Sequence, residues 1–126
     1  MRDYIPRNYK LPRATYYQAL YAVRDYDRLN AEYKEILHES AVPPNGLPKG
    51  NTPGRPTEDK ALRLQQIGDR LTAIDRALMA IPEEYRKGVA DNVRYKAPYP
   101  YTAGYATWSR WRRRFLYLVA KYLRLL

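Results

Sequence analysis

The chain of 126 residues has no cysteine, a single histidine and a single phenylalanine. The missing cysteine excludes disulfides and thiolate metal sites, so nothing in the sequence requires an oxidising compartment. The lone histidine, His38, has no partner at a catalytic or metal-ligand spacing, and a cation near the end of a helix is favourable on its own. We therefore expect no enzyme activity, no metal site and no cofactor.

Long apolar runs are also missing. The longest nearly apolar segment, residues 115–126, is interrupted by Lys121 and Arg124 and is too short to span a bilayer. The N-terminal residues contain no apolar stretch of the kind that a secretion signal needs. We expect one small cytoplasmic domain, residues 1–126, with no membrane partner.

Acidic residues are absent from the last 33 residues, Arg94 to Leu126, which hold eight of the 23 lysines and arginines. The first 93 residues carry 15 basic and 13 acidic residues, so most of the net charge of +10 is C-terminal. Four arginines lie among aromatic residues within 108–115. A positive charge confined to one segment is typical of a protein that binds a polyanion.

Apolar residues recur at alternating steps of three and four in three segments, which places each set on one face of an α-helix. The three sets are Ala19, Ala22, Tyr26, Leu29, Tyr33 and Ile36; Leu64, Ile67, Leu71, Ile74, Leu78 and Ile81; and Trp108, Trp111, Phe115, Leu118, Tyr122 and Leu125. No segment shows the alternation of a β-strand. The sequence predicts an all-α fold.

The first two helices are predicted to form a long antiparallel hairpin. Thr15 fits a capping box that opens a helix at 14–39, and Thr57 fits the N-cap of a helix at 57–81. Residues 40–56 contain five prolines and three glycines. No helix crosses such a segment, so we expect a linker between the two helices, with a recognition loop as the alternative.

A short helix and a basic helix are expected in the rest of the chain. Pro82 can end the second helix and begin a third, with Val89 and Val93 facing inward. A fourth helix begins between residues 102 and 107 and runs to the C-terminus. Together these elements predict a basic region at 82–126 that is similar to a helix-turn-helix.

The predicted fourth helix separates an aromatic face from a basic one at about 100° per residue. Its outward and flanking residues are Ser109, Arg110, Arg112, Arg113, Arg114, Tyr117, Lys121 and Arg124. A helix that is held by tryptophans and turns guanidiniums outward suits the major groove of double-stranded DNA.

Two other interpretations of the basic helix are open. A solvated charged face is one, although the segment has no acid to form i,i+4 ion pairs. A helix that lies on an anionic membrane is the other, although the bundle core needs the apolar face. Nucleic acid is the favoured partner.

The pattern Thr107-Trp-Ser-Arg-Trp-Arg, followed by Phe115 and the pair Val119-Ala120, resembles the end of a known family. The chain is similar there to the RinA/ArpU-like late-gene regulators of Gram-positive phages, whose C-terminal part is similar to the helix-turn-helix of sigma factor region 4. Residues 81–88 are also similar to phage proteins of this type. The likeness covers roughly residues 58 to 126.

The resemblance implies a transcriptional regulator that binds promoter DNA, with RNA polymerase or another host protein as a further partner. The residues that the recognition helix would present are Thr107, Ser109, Arg110, Arg113 and Arg114.

The connection before the basic helix departs from the family's pattern. An ordinary helix-turn-helix has a tight turn here, whereas residues 94–104 contain Pro98 and Pro100. Sequence-specific reading therefore does not follow from the resemblance. Four tyrosines that either pack this loop onto the bundle or stack on unpaired bases are Tyr95, Tyr99, Tyr101 and Tyr105.

The sequence as a whole favours a phage or prophage DNA-binding regulator of transcription. One alternative is a protein-interaction module, such as an inhibitor or adaptor that docks on an acidic host protein. Another is a packaging component similar to a small terminase subunit. The helical faces also allow an oligomer.

Overall fold

The computed structural model describes residues 9–41 and 55–126, and these residues form five α-helices and no β-strand. The helices are α1 (Arg13–Arg24), α2 (Tyr26–Ala41), α3 (Arg55–Met79), α4 (Glu83–Tyr95) and α5 (Tyr105–Tyr122). The predicted all-α fold is confirmed. No helix within the described ranges combines the length and the hydropathy that crossing a lipid bilayer requires.

The chain divides into two compact units. The α2 unit is Tyr26–Leu71 and contains α2 and most of α3. The α5 unit contains the residues up to Asp25 and from Thr72 onward, with α1, the end of α3, α4 and α5. The hairpin expected from 14–39 and 57–81 is shared between the units and stays a prediction.

The α2 unit has a small apolar core and a set of ion pairs. Its buried residues are Leu29, Ile67 and Leu71, against which Tyr26, Tyr33 and Ile36 pack. Arg63 donates two hydrogen bonds to Glu32, at 2.7 and 3.0 Å, and Lys60 lies 3.3 Å from Glu39. Ion pairs between partly exposed side chains contribute little to stability, so the apolar contacts hold the unit together.

The α5 unit is built around α5. Helices α1 and α4 both pack on α5 and on each other. The core residues are Ala19, Leu20, Ala22 and Val23 from α1, Ala73, Ile74 and Ala77 from α3, Ile81, Val89, Ala90 and Val93 around α4, and Trp108 and residues 115–120 from α5. The periodic residues predicted to face inward in this unit are all buried or half-buried.

Two helices begin within two residues of the predicted starts, but both predicted N-caps are wrong. Helix α1 begins directly after Pro12, whose carbonyl accepts the Tyr16 amide at 2.8 Å, so Thr15 lies inside the first turn. Helix α3 begins two residues before Thr57, which therefore lies inside the helix. The predicted linker at 40–56 falls outside the described residues except at its ends, where α2 and α3 extend into it.

The single helix predicted at 14–39 is interrupted at Asp25. This residue has φ −87° and ψ 0°, and its amide donates to the carbonyls of Tyr21 and Ala22 at 3.0 and 3.3 Å. The i→i−3 component marks a tightened last turn of α1, after which α2 begins at Tyr26. Asp25 is neither glycine nor proline, so the sequence pattern does not show this break.

Helix α4 has an ordinary cap at its C-terminal end only, since its N-cap residue, Pro82, makes no side-chain capping bond. The helix begins after Pro82, where the sequence predicts a helix start, and Val89 and Val93 are fully buried as expected. It ends at Lys96, which is left-handed with φ 59° and donates its amide to the Asn92 carbonyl at 3.0 Å. A left-handed residue in this position closes the last turn of a helix.

Helix α5 begins within the predicted interval but ends before the C-terminus. Arg124 is left-handed with φ 61°, and its amide donates to the Lys121 carbonyl at 3.0 Å. The Leu125 amide donates to the Ala120 carbonyl at 2.9 Å. These two bonds form a Schellman motif, which ends the helix and removes Arg124 from the face on which it was predicted.

Candidate nucleic-acid interface

The first half of α5 is anchored by aromatic rings. Trp108 is 1% exposed; its ring stacks on Tyr99 at 5.7 Å and 10° and meets Tyr85 edge-to-face at 5.1 Å. Trp111 is half-buried and also stacks on Tyr85, with ring centres 5.6 Å apart and planes that differ by 21°. Of the two tryptophans expected in the core, Trp108 is the fully buried anchor.

Helix α4 passes close to the Trp108 indole at Gly88. A Cβ atom on Gly88 would lie 2.6 Å from Cζ3 and 2.7 Å from Cη2 of Trp108. Only glycine allows this approach without a shift of the indole or of α4. In the sequence, the one sign of this close approach is a glycine inside a helical pattern. A glycine in such a position usually has a packing reason.

The four tyrosines around the connection differ in exposure, and only one of them has the predicted packing role. Tyr99 packs the connection onto α5 through Trp108. This burial raises the pKa of the Tyr99 hydroxyl, and the opposing effect of the nearby Arg112 charge is smaller. Tyr95, Tyr101 and Tyr105 are exposed. Only Tyr99 therefore serves as a core residue of the connection.

Arg110 and Arg113 form the exposed basic part of α5. Both side chains are exposed, and neither makes a hydrogen bond or ion pair with a described residue. Ala106, one turn before Arg110, is exposed as well. We call Ala106, Arg110 and Arg113 the α5 strip, a short surface on which two unneutralised guanidiniums lie about one helical turn apart.

Arg112 differs from the prediction, because its guanidinium is turned into the fold. Its Nε donates to Asn92 Oδ1 and its Nη1 donates to the Tyr16 hydroxyl, both at 2.9 Å. The Asn92 amide in turn donates to the Ala97 carbonyl at 2.8 Å. Arg112 thus ties α1, α4 and the connection to α5, and its hydrogen bonds are used for positioning.

Arg114 is half-buried on the other flank of α5. Its guanidinium lies 5.6 Å from the ring centres of both Trp111 and Tyr9. Cation–π contacts of this kind hold the side chain against the surface without neutralising its charge. Thr107 and Ser109, also predicted to face DNA, are half-buried beside Trp108.

The predicted outward position of Tyr117 is wrong. Tyr117 is 4% exposed, and the ring of Tyr9 packs on it edge-to-face at 5.8 Å. All six residues from 115 to 120 are buried, and Lys121 is half-buried. Tyr9 packs on Tyr117, α1 packs on α5, and residues 115–120 are buried, so the basic face is limited to the first half of α5.

No protein-family model, curated protein or solved structure matches this chain. Within residues 9–41 and 55–126, no group of three or more histidine or carboxylate side chains could hold a metal ion. The resemblance to phage late-gene regulators stays a prediction.

Proposed function

We propose that the protein binds double-stranded DNA through the α5 strip and acts as a phage or prophage regulator of transcription. The observation that supports this function is the pair Arg110 and Arg113, exposed and unneutralised on a helix that Trp108 anchors. A pair of guanidiniums on a fixed helix can bind phosphates or the edges of guanine bases.

The position of the strip fits a helix that enters the major groove by its first turns. In helix-turn-helix proteins the N-terminal residues of the recognition helix contact the bases, and the rest of the helix packs on the domain. Here the first half of α5 is exposed at Ala106, Arg110 and Arg113, and residues 115–120 are buried. The exposed Tyr105, which directly precedes Ala106 on α5, carries a hydroxyl that suits a phosphate contact.

The connection between α4 and α5 limits the comparison with a helix-turn-helix. It spans residues 96–104, longer than the usual tight turn, and it is held by Tyr99 on Trp108 and by the bond from Asn92 to Ala97. A long connection that is packed at both ends still fixes α5. The proposal therefore requires a rigid α5 and does not require the turn of the ordinary motif.

The test is a titration of a labelled DNA duplex, followed by fluorescence anisotropy. A variant with Arg110→Ala and Arg113→Ala, the strip variant, is expected to bind at least ~10-fold more weakly, since each arginine contact contributes about 1–3 kcal/mol. The control carries Lys34→Ala and Arg70→Ala, which remove the same charge from exposed positions of the α2 unit. The control is expected to bind like the wild type.

Two results would contradict DNA binding through this strip. One is a wild-type protein that does not bind duplex DNA at low salt. The other is an equal loss of binding in the strip variant and in the control. Circular dichroism of both variants shows whether the helices are kept.

The regulatory part of the proposal has its own test. Selection of bound duplexes from a random pool is expected to enrich one sequence if the protein recognises a promoter site. A pool that stays random after selection would contradict a sequence-specific regulator, while the anisotropy result still stands for DNA binding.

A further inference from the structure

The outer face of α1 carries two exposed and stacked tyrosines. Tyr17 and Tyr21 are four residues apart and so lie one turn above each other on one face of the helix. Their ring centres are 6.2 Å apart and their planes differ by 22°. They are 41% and 57% exposed, respectively. The core of the α5 unit uses the opposite residues of α1, Ala19 and Val23 among them, so these rings are not needed to fill it.

An arginine lies at each end of this pair. The Arg13 guanidinium is 5.8 Å from the centre of the Tyr17 ring, and the Arg24 guanidinium is 5.6 Å from that of Tyr21. Neither arginine forms an ion pair with a described carboxylate. We call Arg13, Tyr17, Tyr21 and Arg24 the α1 column; its ends are about 16 Å apart at ~1.5 Å per residue.

The two arginines of the column are held differently. Arg24 donates from Nε to the Val93 carbonyl at 3.0 Å, which fixes its guanidinium against α4. Arg13 is exposed, and its contact with the Tyr17 ring is its only interaction with a described residue. Arg13 can therefore leave the ring at the cost of one exposed cation–π contact, which is weaker than the stacking of a nucleic-acid base on an aromatic ring.

The column combines the two features by which proteins hold unpaired nucleic acid: flat aromatic faces and positive charge along them. An acidic peptide could also pair with the arginines, but a nucleic acid supplies both negative charge and flat rings, which matches two tyrosine rings that lie between two guanidiniums. We propose that the α1 column binds single-stranded nucleic acid, with a base stacked on Tyr17 in place of Arg13 and phosphates paired with Arg13 and Arg24.

The column is joined to α5 within the same unit. The Tyr16 ring meets Tyr17 edge-to-face at 5.2 Å, and the Tyr16 hydroxyl accepts the bond from Arg112. The inference goes beyond the proposed function and does not depend on it, because the α1 column and the α5 strip share no residue.

The test uses a labelled oligothymidylate of about 12 nucleotides, a length within the range that such surfaces cover. Replacing both rings, Tyr17→Ala with Tyr21→Ala, is expected to weaken binding at least ~10-fold, because the stacking surface is lost. The matched control, Tyr17→Phe with Tyr21→Phe, keeps the rings and is expected to bind within about 2-fold of the wild type. Both substituted positions are exposed, and circular dichroism of the two variants verifies that the helices are kept.

A direct contact is tested by photocrosslinking. An oligonucleotide that carries iodouracil is expected to crosslink to the peptide that contains Tyr17 in the wild-type protein. The inference is overturned if the wild type does not bind the oligonucleotide, if the alanine pair binds it as the wild type does, or if the phenylalanine pair loses binding to the same extent. A crosslink only to other peptides also overturns it.

The two proposals fail separately. The alanine pair on α1 is expected to keep the affinity of the wild type for duplex DNA within about 2-fold, and the strip variant is expected to keep its affinity for the oligothymidylate within the same limit. If the alanine pair and the strip variant both lose affinity for duplex DNA and for the oligothymidylate, the α1 column is not a separate binding surface and the inference is overturned. A strip variant with unchanged duplex binding would contradict the proposed function alone.

Discussion

Gly88 is the residue on which the close approach of α4 to Trp108 depends. An alanine inside a helix is ordinarily more stable than glycine by about 0.5–1 kcal/mol. At Gly88 the added Cβ would meet the indole at 2.6 Å, and overpacking of this kind costs typically ~1–3 kcal/mol. Gly88→Ala is therefore expected to lower the free energy of unfolding, by about 1–2 kcal/mol net, in urea titrations followed by circular dichroism.

Gly68 provides the matched control for this substitution. It also lies inside a helix, α3, but a Cβ there would meet only Tyr33 Cε2 at 3.5 Å, an ordinary contact. Gly68→Ala is expected to leave the stability unchanged or to raise it. Equal unfolding midpoints for the two variants would show that the Trp108 ring moves aside easily and that the glycine is not required.

Replacing Arg112 by alanine is expected to lower the free energy of unfolding, and replacing Arg110 is not, although the sequence places both residues in one basic cluster. Arg112→Ala leaves Asn92 Oδ1 and the Tyr16 hydroxyl without their donor, and hydrogen bonds to a charged group contribute about 1.5–3 kcal/mol each when well buried. Because Arg112 is only half-buried, we expect a total loss of about 2 kcal/mol in the free energy of unfolding. Arg110→Ala is expected to stay within ~0.5 kcal/mol of the wild type.

Thermal unfolding of the two single variants separates these roles. Arg112→Lys is not expected to restore the stability, because an ammonium cannot reproduce the two diverging bonds of the guanidinium. If Arg112→Ala unfolds at the same temperature as Arg110→Ala, the network through Asn92 and Tyr16 does not contribute to the fold.

At the scale of the elements, the helical faces could be predicted and the surfaces that cover them could not. The periodic residues of all three segments are buried or half-buried, because burial of an apolar face on a helix is a local consequence of spacing. The inward turn of Arg112 depends on other segments, and the break at Asp25 has no glycine or proline to mark it. Tyr16 lies 96 positions away from Arg112 in the chain, and no periodic pattern connects such residues.

The buried half of α5 did leave a signal in the sequence. Residues 115–120 are six consecutive apolar residues, and a helix that is apolar on all sides is buried on all sides. Reading this run as part of a two-faced helix placed Tyr117 on the DNA face. The same argument supports the first half of α5 as the half with an exposed face. Only there do polar residues lie on one side of the helix and apolar residues on the other.

At the scale of the whole molecule, the net charge belongs to one unit. The α2 unit contains seven basic and seven acidic residues, and the α5 unit contains sixteen basic and six acidic residues. The net charge of +10 is therefore the charge of the α5 unit, and the α2 unit is neutral. Long-range attraction of a polyanion is directed to the unit that contains both the α5 strip and the α1 column.

This partition of charge predicts the salt dependence of duplex binding. The logarithm of the association constant falls linearly with the logarithm of the salt concentration, by about 0.9 for each phosphate that the protein neutralises. Removing Arg110 and Arg113 is therefore expected to reduce the magnitude of the slope by about 1.8. The Lys34→Ala and Arg70→Ala control, in the neutral unit, is expected to keep the slope of the wild type.

Anisotropy titrations at several salt concentrations measure all three slopes on one duplex. A strip variant that binds more weakly but keeps the wild-type slope would mean that the two arginines contact base edges or act on α5 itself, and do not neutralise phosphates. A control whose slope falls as much as that of the strip variant would mean that the total charge, and not its position, determines binding. Only a smaller slope confined to the strip variant assigns the phosphate contacts to Arg110 and Arg113.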